Sequence, residues 1–259
     1  MSGKPDRREA GVAEAARSFD AELHTRAYAE THADAGQLAR LLAYLSPADG
    51  QVILDLGTGN GYVAMAVAGM QPGCRVVGVD VAEQAIATDR KQAREQGVTN
   101  AEFVSYDGVE LPFADAQFDA AVCRYAFHHL PRPETSLDEL GRTVRTGGKL
   151  ALADAIRDEV DAVDFVNRLQ TLKRDGHVRM QRRADLIALV ARHGFVVDEV
   201  FESSIVFTRD RTAVYDELLE ATPETVLQAY AVAVGERQIQ VEFRILNLLL
   251  VNQRRSARS

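Results

Sequence analysis

The sequence predicts an α/β fold in which a mostly parallel sheet is flanked by helices. Short runs without polar residues, typical of strands buried on both faces, recur between residues 51 and 154. Segments with helical spacing of apolar residues alternate with these runs. A glycine-rich turn follows the first run, as in open sheets that bind a ligand at the carboxyl ends of their strands. Together these observations predict parallel strands with a ligand site at one edge.

Three regions are predicted along the chain. Residues 1–46 form an N-terminal helical cap with a frayed, polar start, because apolar residues recur at helical spacing from Phe19 to Leu45. Residues 47–155 form the ligand-binding core of the sheet. Residues 156–259 form the C-terminal half of the core, with helical insertions on the substrate side. A chain of this length can bury one substantial core.

The elements of the core follow from the length and period of its apolar runs. Strands are predicted near residues 51–56, 74–80, 101–105, 118–124 and 148–154, with helices near 62–69, 83–96 and 135–145. Strands that alternate with helices are expected to run parallel.

The C-terminal half is predicted to begin with a helical insertion at about 158–173 and a core helix that ends at Gly194. Two long strands follow, in "VVDEVFESSIVFT" and "QIQVEFRILNLLLVN", and we expect them to pair at the end of the sheet. Between them "TPETV", beginning at Thr222, resembles a capping box and predicts a further helix.

The turn after the first strand predicts a nucleoside site. The strand ends near Asp55, and Gly57, Gly59 and Gly61 allow the backbone to turn tightly against a ligand. A second apolar run ends at Asp80, where a carboxylate can accept both hydroxyls of a ribose. The spacing GxGxG differs from the GxGxxG that leaves room for a pyrophosphate, so it favours S-adenosylmethionine over NAD.

With these motifs the chain resembles the class I S-adenosylmethionine-dependent methyltransferases, specifically their UbiE-like small-molecule branch. The resemblance covers roughly Leu38 to Phe195 and departs from the family at Thr58 and Thr146, where Cys and Pro are usual. Four blocks carry it in order: "LDLGTGNG", "VVGVD", "FVSYDGVELPFADAQFDAAVCRYAFHHL" and "LGRTVRTGGKLALAD".

The resemblance implies a Rossmann-like, seven-stranded, mostly parallel sheet in the order 3-2-1-4-5-7-6, with the last strand antiparallel. It also implies methyl transfer from S-adenosylmethionine to an oxygen, nitrogen or activated carbon of a small molecule, with S-adenosylhomocysteine as the product. Missing quinone-enzyme signatures leave the acceptor open.

Eleven residues are expected to hold the cofactor. Asp55 anchors the turn or reaches the methionine ammonium, and Val81 lies against the adenine. The resemblance places Asp107 at the adenine amino group, although its Asp-Gly dipeptide is also typical of a plain turn. The backbone at Arg124 passes under the methionine, and Tyr28 belongs to a lid or simply packs the cap. The full set is Tyr28, Asp55, Gly57, Thr58, Gly59, Gly61, Asp80, Val81, Asp107, Gly108 and Arg124.

Three residues are candidates for the acceptor side. His128 follows the fourth strand and is a candidate general base, although packing against the cofactor is the alternative that the sequence favours. His177 and Arg179 lie in the polar stretch "RDGHVRM" and are expected to line the acceptor pocket or to form a solvated loop. No metal site is expected.

The amino-acid composition limits the classes of substrate and partner that we expect for this protein. The 30 basic and 38 acidic residues give a net charge of −8, which argues against nucleic-acid substrates. Two cysteines without metal or disulfide spacing fit a reducing cytoplasm, and no run is long enough to span a membrane. The sequence leaves the oligomeric state open, with a homodimer among the alternatives. The alternatives left open are an S-adenosylmethionine-binding protein without transfer, and an NAD-dependent oxidoreductase, which would lack the usual Tyr-x-x-x-Lys pair.

Overall fold

The computed structural model describes residues 16–20, 23, 32–173 and 175–254. These residues form an eight-stranded sheet with helices on both faces. The strands are β1 (Val52–Leu56), β2 (Arg75–Asp80), β3 (Ala101–Ser105), β4 (Phe118–Arg124), β5 (Val144–Ala155), β6 (Phe195–Asp210), β7 (Ala233–Val234) and β8 (Gln238–Asn252). The helices are α1 (Ala35–Leu45), α2 (Tyr62–Met70), α3 (Glu83–Glu95), α4 (Pro133–Thr143), α5 (Phe165–Thr171), α6 (Arg183–Arg192), α7 (Ala213–Glu220) and α8 (Glu224–Ala229), with a 3-10 turn at Phe127–His129.

The strand order is β3-β2-β1-β4-β5-β8-β6, which confirms the predicted topology. Strands β1 to β5 pair in parallel, whereas β8 runs antiparallel to both β5 and β6. The eighth strand is the short β7, which pairs with the outer part of β8 and was not expected. In this order β1 lies between β2 and β4, so the connections leave it in opposite directions and open a crevice at its carboxyl end.

Alternation along the strands separates the core into two apolar layers. In β1, Ile53 faces one layer, packed by α1, α2, α3 and α5, while Leu54 faces the other, packed by α4 and α6. Both side chains are fully buried. A parallel sheet covered on both faces requires such continuous apolar runs, which is why the sequence pattern predicts the central strands well.

The insertion predicted at about 158–173 is helical only from Phe165. The Asp161 carboxylate accepts hydrogen bonds from the backbone N–H groups of Phe165, at 2.8 Å, and Val166, at 3.1 Å. These bonds satisfy two N–H groups that the first turn of a helix leaves without partners, and so fix where α5 begins.

The β6–β8 hairpin extends beyond the parallel strands. β5 ends at Ala155, which pairs with Ile245, whereas β6 and β8 remain paired as far as Asp210 and Gln238. The outer half of the hairpin therefore continues past the carboxyl edge of the sheet and walls the crevice there. Among the described residues, no helix has both the length and the apolar character that crossing a membrane requires.

Candidate cofactor and acceptor site

A deep cavity lies at the carboxyl ends of the parallel strands and reaches the β6–β8 hairpin. Its turn end is lined by Asp55, Gly57, Thr58, Gly59, Asp80 and Val81. Its hairpin end is lined by Ile205, Phe207, Arg209 and Ile245. His128 and His129 contribute to the wall as well. Ligand sites of open α/β sheets occur in this position.

The glycines of the turn have the conformations that their spacing predicts. Gly57, Gly59 and Gly61 have φ values of 71°, 61° and 72°, in the left-handed region that other residues rarely adopt. A Cβ on Gly57 would lie 2.3 Å from the Cβ of Ala126, a distance no packed structure accommodates. Both backbone strain and lack of space thus require glycine at this position.

Asp55 stabilises the turn from inside. Its Oδ2 accepts hydrogen bonds from the Thr58 hydroxyl at 2.8 Å and from the backbone N–H of Ala64 at 3.1 Å. The carboxyl group is buried, and this burial raises the pKa of Asp55 to about 6. The contacts correspond to the anchoring role expected from the sequence.

Asp80 lies opposite, at the end of β2. Its Oδ2 accepts from the backbone N–H of Gly59 at 2.9 Å, and its Oδ1 accepts from that of Ala82 at 3.0 Å. Burial raises the pKa of Asp80 above its ordinary value. Each carboxylate oxygen has a further lone pair, so Asp80 can brace the turn and still accept from a ligand. Asp55 and Asp80 make the turn end of the cavity acidic.

His128 is fixed by a buried carboxylate. Its Nδ1 lies 2.6 Å from Oδ1 of Asp154, near the end of β5, and both side chains are almost completely buried. Nε2 makes no hydrogen bond with the described residues, and the ring lines the cavity. Burial alone would lower the pKa of His128, but the charge and hydrogen bond of Asp154 outweigh it and raise the pKa.

Two more histidines lie against His128. The ring centroids of His129 and His177 lie 4.1 and 5.6 Å from that of His128. Burial and the neighbouring histidines lower the pKa of His129 well below its ordinary value, and burial and His128 lower the pKa of His177 to about 3. Of the three, only His128 has a raised pKa, so it is the one suited to take up a proton near neutral pH.

Arg124 ties the N-terminal residues to β4. Its Nε donates to Oε1 of Gln37 at 2.8 Å, and its Nη2 donates to the backbone oxygen of His32 at 2.7 Å. The guanidinium carbon lies 4.1 Å from the ring centroid of Tyr125. Both oxygens that accept from the Arg124 guanidinium are therefore neutral.

Asp107 is placed differently from the expectation. It is exposed, and its Oδ1 accepts from the backbone N–H groups of Val109 and Glu110 at 2.8 and 2.9 Å, the geometry of an Asx turn. The neighbouring Tyr106 and Gly108 line the cavity, but Asp107 does not. The structure thus agrees with the plain turn that its Asp-Gly dipeptide also suggested.

His177, Arg179 and Gly61 also lie outside the cavity wall. Nε2 of His177 is 2.8 Å from Oδ1 of Asn167, and Arg179 is exposed while its backbone N–H donates to the carbonyl of His128 at 3.1 Å. The His177 ring and the backbone of Arg179 therefore contact His128 without lining the cavity. Gly61 instead precedes α2 as its N-cap. Tyr28 lies outside the described residues.

Several wall residues were missed by the sequence analysis. His32 lines the cavity, and its ring centroid lies 5.5 Å from that of Phe207. Asp154 has no motif, although its position at the carboxyl end of a strand is a usable signal. Ile205, Phe207 and Arg209 lie at the period of two that places strand residues on one face, but Arg209 falls one residue beyond the predicted strand.

Comparison with known proteins finds similarity to methyltransferases. The family model described as "Methyltransferase domain" matches residues 54–152. The chain is 30% identical to the uncharacterized methyltransferase YcgJ of Bacillus subtilis over 57% of this chain and 58% of that protein. It is 36% identical to a demethylmenaquinone methyltransferase of Thermus thermophilus over 39% of this chain and 46% of that protein. The chain thus spans about half the length of the curated relatives it matches.

The fold has a similar counterpart among solved structures. A putative methyltransferase from Bacillus halodurans is 25% identical, with a TM-score of 0.73 over 84% of this chain and 99% of that chain. Residues 54–152 thus match the family model of a methyltransferase domain, which agrees with the resemblance seen in the sequence.

Proposed function

We propose that this protein transfers the methyl group of S-adenosylmethionine to an oxygen, nitrogen or activated carbon of a small molecule. The observation that carries the proposal is the continuity of the cavity. The cavity is lined at one end by two strand-end carboxylates, Asp55 and Asp80, and further along by His128. Asp154 holds the His128 ring through Nδ1, which leaves Nε2 without a partner among the described residues. A cofactor site and a proton acceptor then share one cavity.

The residues at the turn end suit this cofactor. Asp80 is placed to accept from ribose hydroxyls, and the two carboxylates favour a ligand that carries positive charge. The GxGxG turn offers no pyrophosphate site, which argues against NAD. When bound, the cofactor supplies an electrophilic methyl group on sulfur. The protein then has to align the acceptor behind the sulfur–methyl bond and exclude water.

His128 supplies the proton acceptor in this proposal. With its Nδ1 proton donated to Asp154, the lone pair of Nε2 faces the cavity and can take the proton of an acceptor hydroxyl as the oxygen–methyl bond forms. The Asp154 carboxylate stabilises the imidazolium that results. This contact favours the base over the packing alternative that the sequence preferred.

Calorimetry with S-adenosylhomocysteine and NAD tests the cofactor assignment. We expect micromolar or tighter binding of S-adenosylhomocysteine and no heat from NAD. A screen of phenols, hydroxylated quinones and amines for S-adenosylhomocysteine release then tests transfer. Binding of NAD alone would refute the cofactor, and cofactor binding without transfer to any acceptor would favour the non-methylating alternative.

We also propose that the partners are small molecules and not nucleic acids, since the net charge is −8 and the site is a cavity with two acids at one end. Cys74 and Cys123 are buried free thiols, which supports a reducing compartment such as the cytoplasm.

A homodimer is the oligomeric state that we propose, and sedimentation velocity at several protein concentrations tests it.

A further inference from the structure

A stripe of side chains leads from the reaction centre along the hairpin. Ile205, Phe207 and Arg209 alternate on β6, so they point to one face, and all three line the cavity. Ile245 of β8 is paired with Ala155, the last residue of β5, and both residues line the cavity. The stripe therefore begins at the carboxyl end of β5, in the cavity that His128 also lines, continues over apolar side chains and ends in a guanidinium.

The guanidinium of Arg209 forms only long hydrogen bonds with the described residues of the protein. Its contacts to the backbone oxygen of Thr208 and to Oε1 of Gln170 are both 3.4 Å, at the long limit for a hydrogen bond. Its guanidinium carbon lies 5.0 Å from the ring centroid of Phe207, which orients the planar group. Among the residues that the structure describes, Arg209 forms no ion pair. A guanidinium has five N–H donors and matches a carboxylate bidentately.

The other cations of the cavity wall are already engaged. Arg124 donates short hydrogen bonds to Gln37 and to the backbone of His32, and Nζ of Lys173 lies 3.3 Å from Oδ2 of Asp175. Within the described part of the chain, the positive charge of Arg209 is thus not matched by an acid at the hairpin end, whereas the opposite end of the cavity carries the two strand-end acids. An anionic group on a ligand is therefore attracted to the hairpin end of the cavity, at Arg209, and repelled by the acids at the turn end.

We propose that the methyl acceptor is an amphipathic carboxylic acid whose apolar body lies on Ile205 and Phe207 and whose carboxylate pairs with Arg209. This inference rests on the proposed methyl transfer and specifies the acceptor of the same cavity. A strand rises about 3.3 Å per residue, so Arg209 lies roughly 13 Å further along β6 than Ile205. An acceptor that contacts both is longer than a single ring, with its nucleophile and carboxylate at opposite ends.

Calorimetry with a homologous series tests the inference. Protein saturated with S-adenosylhomocysteine is titrated with ω-(4-hydroxyphenyl)alkanoic acids of increasing chain length and with the methyl ester of each. We expect the longer acids to bind about tenfold or more tighter than their esters, because a charge-assisted pair is lost in the ester. Acids too short to reach Arg209 should show no such preference.

Variants assign the preference to one side chain. Arg209→Gln should bring each acid to within about twofold of its ester without changing the affinity for the ester or for S-adenosylhomocysteine. Arg209→Lys keeps the charge and should retain part of the preference. Arg192→Gln removes the same charge from an exposed position at the end of α6 and should behave like wild type. In turnover, Arg209→Gln should raise KM for the acids with little change in kcat.

The outcomes separate the two proposals. Failure of the wild-type protein to bind S-adenosylhomocysteine would refute the methyltransferase function itself. If S-adenosylhomocysteine binds, three other results would overturn only the carboxylic-acid acceptor. These results are that no acid of the series binds, that the esters bind as tightly as the acids, or that Arg209→Gln keeps the preference for acids.

Discussion

Nδ1 of His128 lies 2.6 Å from Oδ1 of Asp154, so a hydrogen bond joins the 3-10 turn after β4 to the end of β5. Strands β4 and β5 are neighbours in the sheet, and their carboxyl ends bring the two residues together although 26 positions separate them in the chain. The bond fixes the ring and leaves Nε2 toward the cavity. It is the strongest structural reason to assign a proton-accepting role.

His128→Ala should lower kcat by roughly 10²–10⁴ if His128 is the general base. The affinity for S-adenosylhomocysteine, measured by calorimetry, should stay nearly intact because the turn end of the cavity is unchanged. A loss smaller than about tenfold, with the pH profile of the wild type preserved, would return His128 to a packing role.

Asp154→Asn tests the positioning residue through the pH profile. Asp154 raises the pKa of His128, so removing its charge should lower that pKa. The unprotonated base is then available at lower pH, and the acidic limb of the kcat/KM profile should shift to lower pH while the plateau falls. An unshifted limb with the variant folded, as judged by circular dichroism, would show that Asp154 does not act through His128.

Asp80→Asn tests the ribose site. The change keeps the size of the side chain but removes the charged acceptor, and we expect S-adenosylhomocysteine to bind about 10–100-fold more weakly. Glu95→Gln removes one carboxylate charge from the exposed end of α3 and should leave the affinity unchanged. Equal affinities of the Asp80 variant and wild type would place the ribose elsewhere.

Asp55→Asn should change how stability depends on pH. Burial raises the pKa of Asp55 from its ordinary value of 3.8 to about 6, so the folded protein binds this proton more tightly than the unfolded chain. The contribution of Asp55 to stability is therefore fully present below about pH 4 and is lost as the pH rises through about 6, a cost of roughly 3 kcal/mol at neutral pH. Urea unfolding from pH 4 to 7 should show a flatter profile for the variant; an identical slope would contradict the raised pKa.

Gly57→Ala separates backbone strain from steric exclusion. Gly57 has φ 71° and no room for a Cβ beside Ala126, whereas Gly97 has φ 69° and nothing within 4 Å of its Cβ position. Alanine at either site carries the strain of a left-handed backbone, about 1–2 kcal/mol. We expect Gly57→Ala to lower the free energy of unfolding by clearly more than Gly97→Ala, and to weaken S-adenosylhomocysteine binding as well. Equal losses in both variants would show that the close packing at Ala126 does not require glycine.

The sequence by itself determined the elements and the cofactor turn. Apolar runs predict the central strands because both faces of a parallel sheet are buried, and the pattern therefore does not depend on which neighbour covers them. The turn glycines and the acid at Asp80 are likewise local, since φ preferences and strand ends are read within a few residues. The extra strand β7 and the short helix α5 depended on contacts that the pattern does not contain.

Only the tertiary structure decided the acceptor half of the cavity. His128 and Asp154 meet because β4 and β5 are adjacent, and Arg209 reaches the wall because the β6–β8 hairpin continues beyond the end of β5. Asp107 was expected in the site, but its carboxylate accepts hydrogen bonds from its own turn and does not line the cavity. Side-chain partners distant in sequence are chosen by sheet order and register, and neither is written in the local period of the chain.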